Sequence, residues 1–213
     1  MTVLNLTIAA DADDTHQGAI TNDSGRTFTS SGLVTAIGTL SPGSHGPNDE
    51  YSAGFEFTGA GDIVGKTINS SEFSIVGDAT YSASPDVVSY HLSAHDADTP
   101  SGLTTTDGDL NSTNRPRTTA DAGEWVLTSI TGGVRYTRVC TAVIQELADR
   151  PSFNGTIIML QDTHANTTQG QWQDFDQLSA ELDIDYGSGV VVLTTVNFRK
   201  YGRPAPFQPG VGV

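Results

Sequence analysis

Asp11, Asp13, Asp14, Asp96 and Asp98 come closest to a cluster of side chains that could do chemistry in this 213-residue chain. Carboxylate oxygens are the ligands a hard cation such as Ca²⁺ prefers, so these five could hold a structural ion. Their spacing fits no calcium loop, and the simpler expectation is solvated turn carboxylates with no cofactor. The histidines His16, His45, His91, His95 and His164 are scattered, and no serine sits in a Gly-x-Ser-x-Gly elbow. Glycoside hydrolysis needs two carboxylates facing each other across a cleft, and no pair stands out among the 25 acidic residues. The expectation is a protein that is not an enzyme and has no catalytic residues.

Cys140 is the only cysteine, which excludes an intramolecular disulfide, and no Cys/His group has zinc spacing. It is expected on the sheltered side of a helix beside Val143, Ile144 and Leu147, as a small core residue. Glu146 and Arg150 are four apart on that helix and could pair along one face. Sugar recognition would set aromatic faces against pyranose rings. Trp125 alternates with Leu127 and reads as core. Trp172, between Gln171 and Gln173, and nearby Phe175 are the candidates for glycan contact.

The elements that would position these groups are strands. Only 36% of the residues are hydrophobic, and 23 glycines accompany abundant Thr, Ser, Asn and Asp, a composition suited to short strands joined by polar turns. Period-two patterns bounded by turn formers mark strands at 3–8, 51–57, 67–76, 87–94, 124–130, 156–160, 171–175, 180–186 and 190–198, with a weaker one near 33–40. Tyr51, Ala53, Phe55 and Phe57 share one face, as do Val88, Tyr90 and Leu92 on a later strand. From Tyr136 to Asp149 the apolar residues Val139, Val143, Ile144 and Leu147 draw a helical stripe, which Pro151 ends. About ten strands and one helix specify an all-β, two-sheet antiparallel sandwich of jelly-roll type, with a crossover helix at about 136–149.

The formal charge is −15, and aspartate outnumbers glutamate nineteen to six, so nucleic acid is not an expected partner. No run of about 18 apolar residues predicts a membrane span, and no basic start leading into an apolar stretch predicts an export signal.

Four stretches carry a likeness: residues 52–57 (Ser-Ala-Gly-Phe-Glu-Phe), 65–73 (Gly-Lys-Thr-Ile-Asn-Ser-Ser-Glu-Phe), 93–98 (Ser-Ala-His-Asp-Ala-Asp), and 143–155, where Gln145-Glu146 precedes Arg150-Pro151. With Arg117-Thr118-Thr119 and Trp125, they resemble jelly-roll modules related to carbohydrate-binding modules, found in bacterial polysaccharide-degrading proteins and bacteriophage virion proteins. The likeness spans roughly residues 3 to 186, with Phe153 where such modules commonly carry Trp. It implies a jelly-roll domain over 1–186 without a catalytic partner domain, and hence a virion protein. The expected role is that of a capsid decoration or cement protein on the capsid exterior, made in the host cytoplasm. The expected partners are a major capsid protein and further copies of itself as a homotrimer. The alternative the likeness implies is an adhesion protein that binds polysaccharide.

The segment 187–213 differs from the rest. It has no acidic residue but carries Arg199, Lys200 and Arg203, so its charge is +3 against −18 for residues 1–186. Val190-Val191-Val192-Leu193 and the stretch to Phe198 read as a strand buried on both faces or added to a neighbour's sheet. Pro204, Pro206 and Pro209 favour an extended arm beyond it. Val190, Val192, Phe198, Arg199, Lys200, Tyr201, Arg203 and Phe207 are the expected subunit or capsid contacts.

Overall fold

Alternation of apolar and polar side chains gives a strand one dry and one wet face, and two such strand sets close on each other to make this molecule. The computed structural model describes residues 2–8, 14–18, 27–28, 34–35, 51–77, 84–104, 109–163, 173–176 and 179–187. The strands are β1 (Thr2–Thr7), β2 (Asp14–Gly18), β3 (Thr27–Phe28), β4 (Val34–Thr35), β5 (Tyr51–Phe57), β6 (Ile68–Val76), β7 (Ser84–Ala94), β8 (Glu124–Ile130), β9 (Arg135–Val139), β10 (Ile157–Thr163), β11 (Gln173–Asp174) and β12 (Glu181–Tyr186). A helix, α1 (Thr141–Ala148), lies between β9 and β10, and a short 3-10 helix spans Ala60–Ile63.

A four-stranded sheet runs in the order β1-β12-β6-β9 and a six-stranded sheet in the order β3-β2-β5-β10-β7-β8, with β11 and β4 pairing separately. All pairings are antiparallel. With β2 and β3 set aside as an extension of one edge, eight strands remain, and they pair from the outside of the chain inward. β1 pairs with β12, β5 with β10, β6 with β9 and β7 with β8. That nesting is the wrap of a jelly roll. The helix makes the crossover from the four-stranded to the six-stranded sheet, as the sequence predicts.

The core lies between the sheets. Phe73 of β6 sits at its centre, 5.1 Å from the Phe55 ring, 6.4 Å from Phe57 and 6.3 Å from Trp125, while Tyr90 bridges Trp125 to Phe175. Ala53, Phe55 and Phe57 are buried together, as are Val88, Tyr90 and Leu92, on the faces their alternation predicts. Ile68 and Phe73 are five apart and would fall on opposite faces of a regular strand. The register shift opposite Asp185/Tyr186 inserts an extra residue in β6, so both point inward.

The helix is shorter than expected. Residues 135–139 are strand β9, because Arg135, Thr137 and Val139 face solvent while Tyr136 and Arg138 are half-buried, a period of two. Val139 does not belong to the helical stripe, being 61% exposed. Val143, Ile144 and Leu147 are buried against the sheets, and Cys140 is buried just before the first turn. Burial pushes the Cys140 thiol up to about 11 despite a contact with Ser71 Oγ at 3.4 Å. The C-terminal strand and arm expected over 187–213 lie, apart from Gly187, outside the described residues.

Candidate functional site

The helix acts as a clamp between the two sheets. Gln145 Oε1 accepts the Ile68 N–H at 2.8 Å and its Nε2 donates to the Lys66 carbonyl at 3.1 Å, holding the entry to β6. Glu146 accepts the N–H groups of Thr119 and Ala120 at 2.9 and 2.7 Å, holding the turn before β8. Arg150 donates to Asp98 at 3.0 Å and ion-pairs with Asp96, holding the turn after β7. Glu146 and Arg150 therefore serve different loops rather than each other. The Gln-Glu…Arg-Pro segment is framework.

This pairing also spends Asp96 and Asp98, since a guanidinium neutralises the charge a cation would need. Asp11 and Asp13 lie outside the described residues, and only the backbone of Asp14 is described. Among the described residues no three His, Cys, Asp or Glu side chains gather as a metal site.

The outer face of the six-stranded sheet is overlaid by the chain itself. Residues 101–104 and 109–118 cross β5, β10 and β7, and Leu110 and Leu103 pack on Ile158 and Leu160 of β10. Gly54 of β5 permits this close approach, since a Cβ there would stand 2.9 Å from Leu110 Cδ2. Arg115, only 1% exposed, donates to the carbonyls of Ser101 and Gly102 at 3.0 and 2.8 Å and to both oxygens of Asp109 at 2.9 and 2.8 Å. Arg117 makes a two-point contact with Asp162 of β10, at 2.9 and 2.7 Å, and binds the carbonyls of Arg115 and Leu110 at 2.6 and 2.8 Å. Such charge-assisted, two-point contacts fix an otherwise irregular segment. Next to them His95 is buried against the Pro116 carbonyl at 3.2 Å. Burial lowers its pKa, opposed by that carbonyl and assisted by Arg115 and Arg117.

A polar row continues past the overlay. Asp162 of β10 lies opposite His91 of β7, which lies opposite Glu124 of β8, and Asp121 Oδ2 stands 3.5 Å from His91 Nδ1. Asp162 is held by Arg117 and Ser52, so His91 and Glu124 are the strand residues of this row that reach solvent for contact with a polar ligand.

The four-stranded sheet offers a different outer face. Glu181, Asp183 and Asp185 of β12 point outward, since Leu182, Ile184 and Tyr186 fill the inner face. Glu72 of β6 lies directly opposite Asp183. Arg135 pairs with Glu181 at 2.9 Å, whereas Asp183 and Asp185 are bonded to neutral Asn5 and Asn69. Among the described residues, four carboxylates thus face one arginine.

Trp125 is buried, as its alternation with Leu127 predicts. The Phe175 ring, expected as a glycan contact, is fully buried against Tyr90. Trp172 and the expected contacts Val190, Val192, Phe198, Arg199, Lys200, Tyr201, Arg203 and Phe207 lie outside the described residues. The roles of Arg115, Glu146 and the acidic face were not read from the sequence. A pair of arginines inside a turn-rich segment was the one available sign of a pinned loop. Among the described residues no helix is long and apolar enough to cross a membrane. Comparison of the sequence with protein-family models and with curated proteins finds no match.

Proposed function

We propose that this chain is a non-catalytic contact module, a structural protein of a tailed-virus particle that decorates or cements the capsid shell. The observation that carries this reading is the overlay held by Arg115 and Arg117. It occupies the broad sheet face on which a sandwich would otherwise seat a ligand, and makes that side a rigid block. Aromatic rings from both sheets, Phe55, Phe73, Tyr90, Trp125 and Phe175, are spent in the core. A rigid block with an acidic outer face and, among the described residues, an unpaired edge at β1 is suited to contact with other protein surfaces, and many copies on a shell sum weak contacts into a strong hold. The virion assignment rests on the sequence resemblance.

The test is co-sedimentation of the purified full-length protein with shells of the virus that carries it. Saturable binding and a raised shell disruption temperature are expected. A folded protein that leaves the shells unbound and unstabilised overturns the reading. Glycan recognition is the second reading, favoured by His91 and Glu124 of the polar row. It predicts saturable binding on a glycan array, lost on His91→Ala, and no binding to shells.

A further inference from the structure

β1 is an edge strand of the four-stranded sheet, and among the described residues nothing pairs with its outer side. Natural edges are usually blunted by lysine, proline, a bulge or a covering segment. The β1 sequence, Thr-Val-Leu-Asn-Leu-Thr, has no charge and no proline, its register with β12 is unbroken over six pairs, and Val3 is 64% exposed. The Ile8 N–H donates inward to the Ala180 carbonyl at 3.4 Å. Alternation along the strand therefore turns the backbone groups of Val3, Asn5 and Thr7 toward the open edge. Beside this edge lie the outward carboxylates of Asp185, Asp183, Glu181 and Glu72.

One segment of the chain has the complementary chemistry. Residues 190–198 are strongly apolar, and Arg199, Lys200 and Arg203 follow with no acidic residue anywhere in 187–213. Four carboxylates and Arg135 give the face a net charge of −3, which matches the +3 of the segment. β12 is flanked on both sides, by β1 and β6, so the chain that follows it cannot continue as its hairpin partner. The three residues Gly187, Ser188 and Gly189 connect β12 to that segment and span about 10 Å at a strand's rise of about 3.3 Å per residue.

We propose that the β1 edge and the adjoining acidic face receive the C-terminal segment of a second copy of this chain. Residues 190–198 of the second copy add as a strand to β1, and Arg199, Lys200 and Arg203 settle on the carboxylates. The strand supplies backbone hydrogen bonds and the charges fix the register. This deepens the contact-module reading and rests on it for the choice of a second copy over the chain's own segment.

Charge reversal in the full-length protein tests this by sedimentation velocity. Variant one carries Arg199→Glu, Lys200→Glu and Arg203→Glu; variant two carries Glu72→Lys and Asp183→Lys; each must match the parent's far-ultraviolet circular dichroism. The parent is expected to be oligomeric at low salt and each variant alone monomeric, while an equimolar mixture of the two assembles. A chain carrying all five changes should assemble again. Val3→Pro, which removes an edge N–H without changing a charge of the face, should weaken assembly at least tenfold. A monomeric parent overturns the proposal, and so does a mixture that stays monomeric, which is the result expected if each segment docks on its own chain. Failure here leaves shell co-sedimentation unaffected, whereas assembly without shell binding rejects the virion reading and keeps this one.

Discussion

The two outer faces of this sandwich have been put to opposite uses. On the six-stranded sheet, a glycine in β5, leucines in β10 and the overlay, and two arginines seal the part of the surface over β5, β10 and the end of β7 under the protein's own chain. On the four-stranded sheet the outward positions include serine, threonine, asparagine, Arg135 and two exposed valines, Val3 and Val139, beside the carboxylates, with a like-charge pair, Glu72 and Asp183, in direct register. Like charges placed opposite on a sheet are destabilising. The sealed face therefore carries stability, and the bare face gives some up. A surface that keeps an unfavourable pair is where a partner's charge has most to gain.

Removing Arg115 should separate the two faces most sharply. Its side chain is almost fully buried and ion-paired with Asp109, so Arg115→Ala removes the guanidinium from two carbonyls and from a carboxylate that keeps the Thr104 N–H. The expected loss is about 3–5 kcal/mol in urea unfolding, as for other broken buried pairs. A loss below 1 kcal/mol would mean that the overlay is not anchored there. Gly54→Ala, which pushes a methyl group against Leu110, should cost about 1–3 kcal/mol by overpacking. That loss should shrink when Leu110 is shortened to valine.

How much of this was legible in the sequence follows from what a period of two reports. It reports inward against outward, and it located β5 and β8 to the residue and β1, β6, β7, β10 and β12 closely. It failed where length or local geometry intervenes. β9 is only five residues long, and its outward Val139 happened to extend the spacing of the true helix. β2, with the sequence Asp-Thr-His-Gln-Gly, has no apolar alternation to detect. The candidate site was less legible still. Whether a carboxylate is solvated, as Glu72 is, or spent, as Asp96 and Asp98 are on Arg150, depends on contacts 50 residues or more away in the chain. Composition cannot report such contacts.

The sealed side also predicts a pH effect. His95 has its pKa lowered, chiefly by burial, so between that lowered value and the ordinary value of about 6.5 the unfolded chain binds a proton that the folded one does not. Its penalty is absent above about pH 6.5, and stability falls as the pH drops below it. Replacing His95 with glutamine should flatten that part of the stability profile. An unchanged profile in the variant would assign the loss to other groups.

The smallest effect belongs to the bare face, and it has the opposite sign. Glu72→Gln removes one member of the cross-strand pair with Asp183 while keeping the size and the hydrogen-bonding capacity of the side chain. The folded monomer should become slightly more stable, by less than Gly54→Ala destabilises it, and the gain should fade as salt rises, because screening already weakens the repulsion between exposed charges. Assembly should respond in the reverse direction, since the same substitution removes part of the charge that attracts Arg199, Lys200 and Arg203. A variant that is more stable as a monomer yet weaker in self-association at low salt is the signature of a face kept for contact. If Glu72→Gln lowers monomer stability, the Glu72 and Asp183 repulsion is compensated within the chain, and the contrast between the two faces loses its energetic basis.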